Sequence, residues 1–136
     1  MNFDINILIV EDLLTTRLLL RKILKKLGYT NVALAEDGRA ALDELKQKPF
    51  DLIISDWHMP NMDGLGLYKE IDKDPKLREI PFLLITAEKE LDKVVEVIEA
   101  GVKEYVVKPI TPDYLGNKIK EMVFGEVPQP GSTTPL

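Results

Sequence analysis

Short apolar runs alternate along this chain with segments whose apolar residues recur at helical spacing. The runs Ile5 to Val10, Asn31 to Ala35, Asp51 to Ser55, Pro81 to Thr86 and Glu104 to Val107 are rich in Ile, Val, Leu or aromatic residues and read as strands. A strand buried on both faces gives a continuous apolar run, so the pattern predicts an α/β fold of five βα units around a parallel sheet. The first helix carries Leu20, Ile23, Leu24 and Leu27 on one face and stops at Gly28; the fourth repeats the spacing with Leu91, Val94, Val95 and Ile98 before Gly101. The second runs from Gly38 to Gln47, the third from its N-cap Asp63 to Lys73, and the fifth from Pro112 to Phe124 with Leu115, Ile119, Met122 and Val123 inward. Gly66 inside the third helix costs about 1 kcal/mol against Ala, and the pattern supplies no reason for it. Val94, Val95, Val97 and Ile98 are β-branched and lower helix propensity, which makes the fourth helix less secure than the leucine-rich first and a candidate switch element. Core filling accounts for Val95 and Ile98 but not for Val94 and Val97 together.

The 136 residues fit one domain, with a core supplied by 45% hydrophobic content. Residues 1–125 form that domain, and the Pro-, Ser- and Thr-rich stretch 126–136 reads as a flexible tail or the start of a linker. A net charge of −5 with scattered lysines argues against nucleic acid or an anionic membrane as partner. There are no cysteines, which excludes disulfides, thiolate metal sites and Cys nucleophiles and fits a reducing compartment. The start is no signal peptide, and no apolar run approaches the roughly 18 residues of a membrane span, so a cytoplasmic protein is expected.

Parallel strands deliver their carboxyl ends to one edge of the sheet, where ligands of open α/β folds bind. The first run ends in Glu11 and Asp12, the third at Asp56, the fourth at Thr86, and the fifth at Lys108 and Pro109. Any one such acid is more often a helix cap, but paired acids, a lone Asp, a Thr and a Lys-Pro at four strand ends have no common structural reason. Carboxylates ~4 Å apart repel by about 4 kcal/mol per pair at an effective dielectric near 20, so positive charge belongs among them. Oxygen-only ligands suit a hard divalent cation such as Mg²⁺, Lys108 can hold a phosphoryl oxygen, and the Thr86 hydroxyl can donate to another. Asp56 is then left as an oxygen nucleophile.

From Ile5 to Phe124 the chain resembles the receiver domains of two-component response regulators. The segment Asp56-Trp57-His58-Met59-Pro60-Asn61-Met62-Asp63-Gly64 is especially similar to the stand-alone chemotaxis regulators of that family. The resemblance implies a doubly wound, flavodoxin-like sheet in the order 2-1-3-4-5, which is carried over from such regulators. It implies that Asp56 accepts a phosphoryl group from a histidine kinase, that Glu11, Asp12, Asp56 and the main-chain carbonyl of His58 hold Mg²⁺, and that Lys108 pairs with the phosphoryl group. Pro109 would follow a cis peptide bond. Thr86 and Tyr105 would be the switch pair, and Val94, Tyr105, Val107 and Lys118 candidates for a partner surface on the fourth helix, fifth strand and fifth helix. The output would be a phosphorylation-dependent change of that surface in a monomer, with a flagellar motor switch as leading target and a phosphorelay or multidomain regulator as the alternative. Such a chain catalyses its own phosphorylation and dephosphorylation but is not a turnover enzyme.

Rival readings come from other classes. A phospho-aspartate phosphatase wants a second acid two residues after its nucleophile, where this chain has His58. A flavin or nucleotide carrier wants a glycine-rich phosphate loop, and none is present. A degenerate scaffold would not keep the acids, Thr86 and Lys108 together. His58, the single histidine, is a poor metal ligand by its ring and suits a main-chain role with the imidazole toward solvent, where it could tune water access to Asp56. Trp57 is expected to shield the acceptor.

Overall fold

The computed structural model describes residues 2–87 and 93–126. Its elements are β1 (Ile7–Val10), α1 (Leu14–Lys26), β2 (Val32–Ala35), α2 (Gly38–Gln47), β3 (Leu52–Asp56), α3 (Gly64–Asp72), β4 (Phe82–Thr86), α4 (Val94–Glu99), β5 (Glu104–Val107) and α5 (Pro112–Phe124). The strands form one all-parallel sheet in the order β2-β1-β3-β4-β5, as expected.

Side chains alternate across a strand, and the alternation sorts the apolar runs onto two faces. Leu8, Val10, Ile53 and Leu84 pack with Leu65, Leu67, Ile71 and Val97 beneath α2, α3 and α4. Ile7, Ile9, Leu52, Ile54, Leu83 and Ile85 pack with Leu20, Leu24, Leu115 and Ile119 beneath α1 and α5. Central strands buried on both faces therefore need apolar residues at every position, which is why β1 reads Ile-Leu-Ile-Val.

Helix starts follow from their caps. Asp37 accepts from the Ala40 amide, Asp63 from the Gly66 amide and Thr111 from the Tyr114 amide, each satisfying a donor that has no partner within its helix. Gly28, at φ 104°, turns the chain out of α1. The first strand begins at Ile7 and not at Ile5; at Asn6 the carbonyl accepts from the Asp51 amide while the amide donates to the Asp51 carboxylate, each at 2.8 Å. The third strand runs one residue further than expected and includes Asp56 itself.

The rotation of α4 departs from the expected one. Val97 is fully buried, while Val95 and Ile98 are 62% and 57% exposed, so the inward assignment of Val95 and Ile98 is wrong and Val97 is core. In this six-residue helix the apolar arc opposite Glu96 and Glu99 is wider than the core can cover, and the neighbouring core takes its Val97 edge. Leu91 lies outside the described residues, as does the expected tail beyond Glu126.

Candidate functional site

Register brings the acids together. Val10 pairs with Ser55, so the chain leaves β1 as Glu11 and Asp12 beside Asp56 at the end of β3. The Glu11 amide donates to the Ala35 carbonyl at 3.0 Å, which extends the ladder by one residue and keeps the Glu11 side chain under the sheet edge, 1% exposed. Asp12 sits in the open. No side chain caps α1; Arg17 reaches back from it instead, donating from Nη1 to the Glu11 carbonyl at 2.7 Å and holding the turn that carries both acids.

Carboxylate oxygens of Glu11, Asp12 and Asp56 all lie within 4.8 Å of one another. Asp56, 8% exposed, accepts from the Trp57 amide at 3.0 Å and has Lys108 Nζ at 3.5 Å, both on Oδ1. Burial first, then the charge of Asp56 and the hydrogen bond a proton would provide to it, push Glu11 up to about 7 from 4.5; Lys108 and the Leu13 amide oppose this. Glu11 Oε2 is buried with no hydrogen-bond partner. An orphaned buried oxygen costs on the order of 1–3 kcal/mol, and an oxygen-only set with one such atom fits a hard divalent cation.

The remaining strand ends close the site. Thr86 follows Ile85, which pairs with Asp56, and its buried hydroxyl donates to the Ala87 carbonyl at 3.2 Å. The Lys108 amide donates to the Thr86 carbonyl at 2.8 Å, carrying Lys108 to the same edge, and the Lys108–Pro109 peptide is cis. Tyr105 is half-buried in β5, beside Leu84 and against the core beneath α3 and α4. The His58 ring stacks on Trp57, centroids 5.3 Å apart. The Trp57 indole is buried in the core, and its amide donates to Asp56.

On the expected partner surface, Val94 and Tyr105 are partly exposed, but Val107 is buried at 6% and offers no contact surface to a partner. The Lys118 side chain is only 11% exposed and ion-paired with Glu104, which makes it a strap between β5 and α5 and not a free surface charge.

Three roles escaped sequence reasoning. A Cβ on Gly64 would stand 2.2 Å from the Asp56 carbonyl oxygen, so only glycine lets α3 start against the acceptor strand. Gly66 presents its amide to Asp63 at 2.7 Å, and a Cβ there would crowd that cap at 3.2 Å. Asp37 holds Asn61, a bond between segments far apart in sequence that no local signal announces.

Residues 7–120 match the model of the response regulator receiver domain. The chain belongs to that family. This receiver is 43% identical over 121 residues to the chemotaxis protein CheY of Pseudomonas aeruginosa, an alignment covering 89% of the chain and 97% of the relative. It is similar to the signal receiver domain of a histidine kinase from Syntrophus aciditrophicus (TM-score 0.83, 34% identity, 97% of this chain and 99% of the other). It is also similar to the receiver domain of a sensor histidine kinase from Pseudomonas aeruginosa, described with a magnesium ion coordinated in its active site cleft (TM-score 0.81, 28% identity, 89% and 98% covered). The receiver is a phosphorylation-dependent signalling switch and not a turnover enzyme. Among the described residues no helix is long and apolar enough to cross a membrane.

Proposed function

We propose that this receiver takes a phosphoryl group on Asp56 from a phosphohistidine of a histidine kinase and signals in chemotaxis through its α4–β5–α5 face. The observation that carries the reading is the unpartnered buried oxygen of Glu11 within a three-carboxylate cluster that also has Lys108 on its acceptor. An Asp56 Oδ–P bond forms as the kinase N–P bond breaks, and the released imidazole takes a proton from solvent. Glu11, Asp12, Asp56 and the His58 carbonyl would hold Mg²⁺, which would supply neutralisation of the phosphoryl oxygens when bound. Lys108, freed from sole pairing with Asp56, neutralises a further phosphoryl oxygen, and the Thr86 hydroxyl turns from Ala87 to donate to another. Tyr105 moves with Thr86, and the change is read on Val94 and Tyr105 together with the exposed Val95 and Ile98. Water attack on the same phosphorus later breaks the Asp56 Oδ–P bond, releasing inorganic phosphate and restoring the carboxylate.

Residues 1–125 are the receiver unit, acting as a cytoplasmic monomer, and 126–136 lie beyond it. Chemotaxis is supported by the similarity to CheY, with a flagellar motor switch as the target to test. Incubating the protein with a small acyl phosphate and Mg²⁺ is expected to label wild type and leave Asp56→Asn unlabelled. Persistent labelling of the variant would falsify the acceptor assignment. Capture of a partner by the phosphorylated but not the unphosphorylated protein tests the output face.

A further inference from the structure

Asp37 is buried at the sheet edge, and the phosphoryl chemistry leaves it without a role. Its two oxygens do different work. Oδ1 accepts from the Ala40 amide at 2.8 Å and caps α2, whereas Oδ2 accepts from the Asn61 side-chain amide at 2.7 Å. Capping alone would need one oxygen, so the second points to a further task.

Asn61 lies in the loop from β3 to α3, three residues after His58, and is the one non-glycine residue with positive φ (66°) among the described residues. The Met62 amide donates to the Pro60 carbonyl at 2.7 Å, closing a tight three-residue turn around it. A side-chain-bearing residue keeps that conformation only where its surroundings hold it. The next residue is held from the same helix end: the Gly38 amide donates to the Met62 carbonyl at 3.0 Å, and a Cβ on Gly38 would stand 2.7 Å from Met62 Cγ. At the loop's base the Gly64 amide donates to the Trp57 carbonyl at 2.7 Å. The loop is thus pinned at Trp57, Asn61 and Met62, with His58 between the pins.

We infer that Asp37 is a positioning residue for the cation site: through Asn61 it holds the β3–α3 loop, and with it the His58 main-chain carbonyl, in the conformation that serves cation binding. The inference rests on the reading of Glu11, Asp12, Asp56 and His58 as the ligand set. It assigns Asp37 and Asn61 a role that neither has by contact with the phosphoryl group. A main-chain ligand has no side chain to fix its direction, so the loop must do so, and an outer partner of that kind is worth roughly tenfold in metal affinity.

The test is calorimetric titration of the full chain with Mg²⁺ alone. Asp37→Ser keeps an oxygen for the cap but cannot also reach Asn61, and Asn61→Gly keeps freedom for positive φ while removing the amide. Asn61 is exposed, so the second variant is expected to fold even if the first does not, with circular dichroism as the check. Each is expected to weaken Mg²⁺ binding roughly tenfold, and the double variant no further, because both changes delete one shared bond. Labelling by a small acyl phosphate should fall at low Mg²⁺ and recover at saturating Mg²⁺, a split that general destabilisation would not produce. Wild-type affinity in folded Asn61→Gly, or losses that add in the double variant, would overturn the role of Asp37 while leaving the ligand set standing. Failure of wild type to bind Mg²⁺ would instead remove the ligand set, and the inference with it.

Discussion

Replacing Asp56 by Asn should stabilise the metal-free protein, and the size of the effect can be worked from the site. The carboxylate oxygens of Glu11, Asp12 and Asp56 lie within 4.8 Å of one another, and Lys108 Nζ is 3.5 Å from Asp56. At an effective dielectric of about 20, a like pair at that limit repels by about 3.5 kcal/mol and the lysine attracts by about 4.7 kcal/mol. With all three acids ionised, removing the Asp56 charge relieves two repulsions and forfeits one attraction, a net gain of about 2 kcal/mol. Exposure of Lys108 and of Asp12 screens both sides of that balance, so the figure holds to order of magnitude. The amide still accepts from the Trp57 N–H, so no hydrogen bond is lost on that side.

The sign depends on pH through Glu11. Its folded value of about 7, raised from 4.5, means that the folded protein holds a proton the unfolded chain has released. Stability therefore falls as pH rises between these values and is level above them. At pH 8 Glu11 is charged and the gain from Asp56→Asn should be present; at pH 6 Glu11 is mostly neutral, one repulsion is gone, and the lysine attraction outweighs the other. The assay is urea unfolding in a chelator at both pH values, repeated with Mg²⁺, which should stabilise wild type more than the variant by mass action. Unchanged or reduced stability of Asp56→Asn at pH 8, or an equal gain at pH 6, would refute the charge argument.

Gly64→Ala places a Cβ against the Asp56 backbone and should cost about 2–4 kcal/mol in urea unfolding, together with phosphoryl uptake, since backbone cannot yield as a side chain can. Leu83→Ala, at a fully buried position beneath α1 and α5, should cost about 2–5 kcal/mol in the same assay. Tyr68→Phe removes the hydroxyl that donates to the Gly101 carbonyl at 2.8 Å and ties the end of α4 to α3; a loss of about 1 kcal/mol is expected, with faster amide exchange confined to the α4 end. Lys118→Met keeps the packed stem but loses the ion pair. Burial disfavours the Lys118 charge, yet the Glu104 hydrogen bond and charge, with Tyr114 and Glu121, outweigh it and raise its pKa. The contribution should be complete below the ordinary lysine range and disappear as pH rises through the raised value, so the variant should show a flatter alkaline limb in a stability-against-pH profile.

The apolar runs and their helical partners were legible because sheet strands buried on both faces admit almost no polar residue, and because Asp63 caps its helix through a bond within a few residues. The site residues were legible for a related reason: parallel strands deliver their ends to one edge, which places Glu11, Asp12, Asp56, Thr86 and Lys108 together. The phase of α4 was not. Val97, Val94, Ile98 and Val95 share one wide apolar arc opposite Glu96 and Glu99, and only the packing that accepts Val97 decides which edge of that arc is buried.

By itself, then, the sequence determined the five βα units, the Asp63 cap and the chemistry gathered at one edge, because those depend on period, local hydrogen bonds and strand polarity. The tertiary structure alone decided what lies between elements distant in the chain: that Glu11 is buried with an unpaired oxygen, that Val107 is buried, that Lys118 is spent on Glu104, that Gly64 must be glycine, and that Asp37 reaches Asn61. Burial, close backbone approach and side-chain pairing between separate loops are properties of three-dimensional packing, and no spacing along a chain encodes them locally.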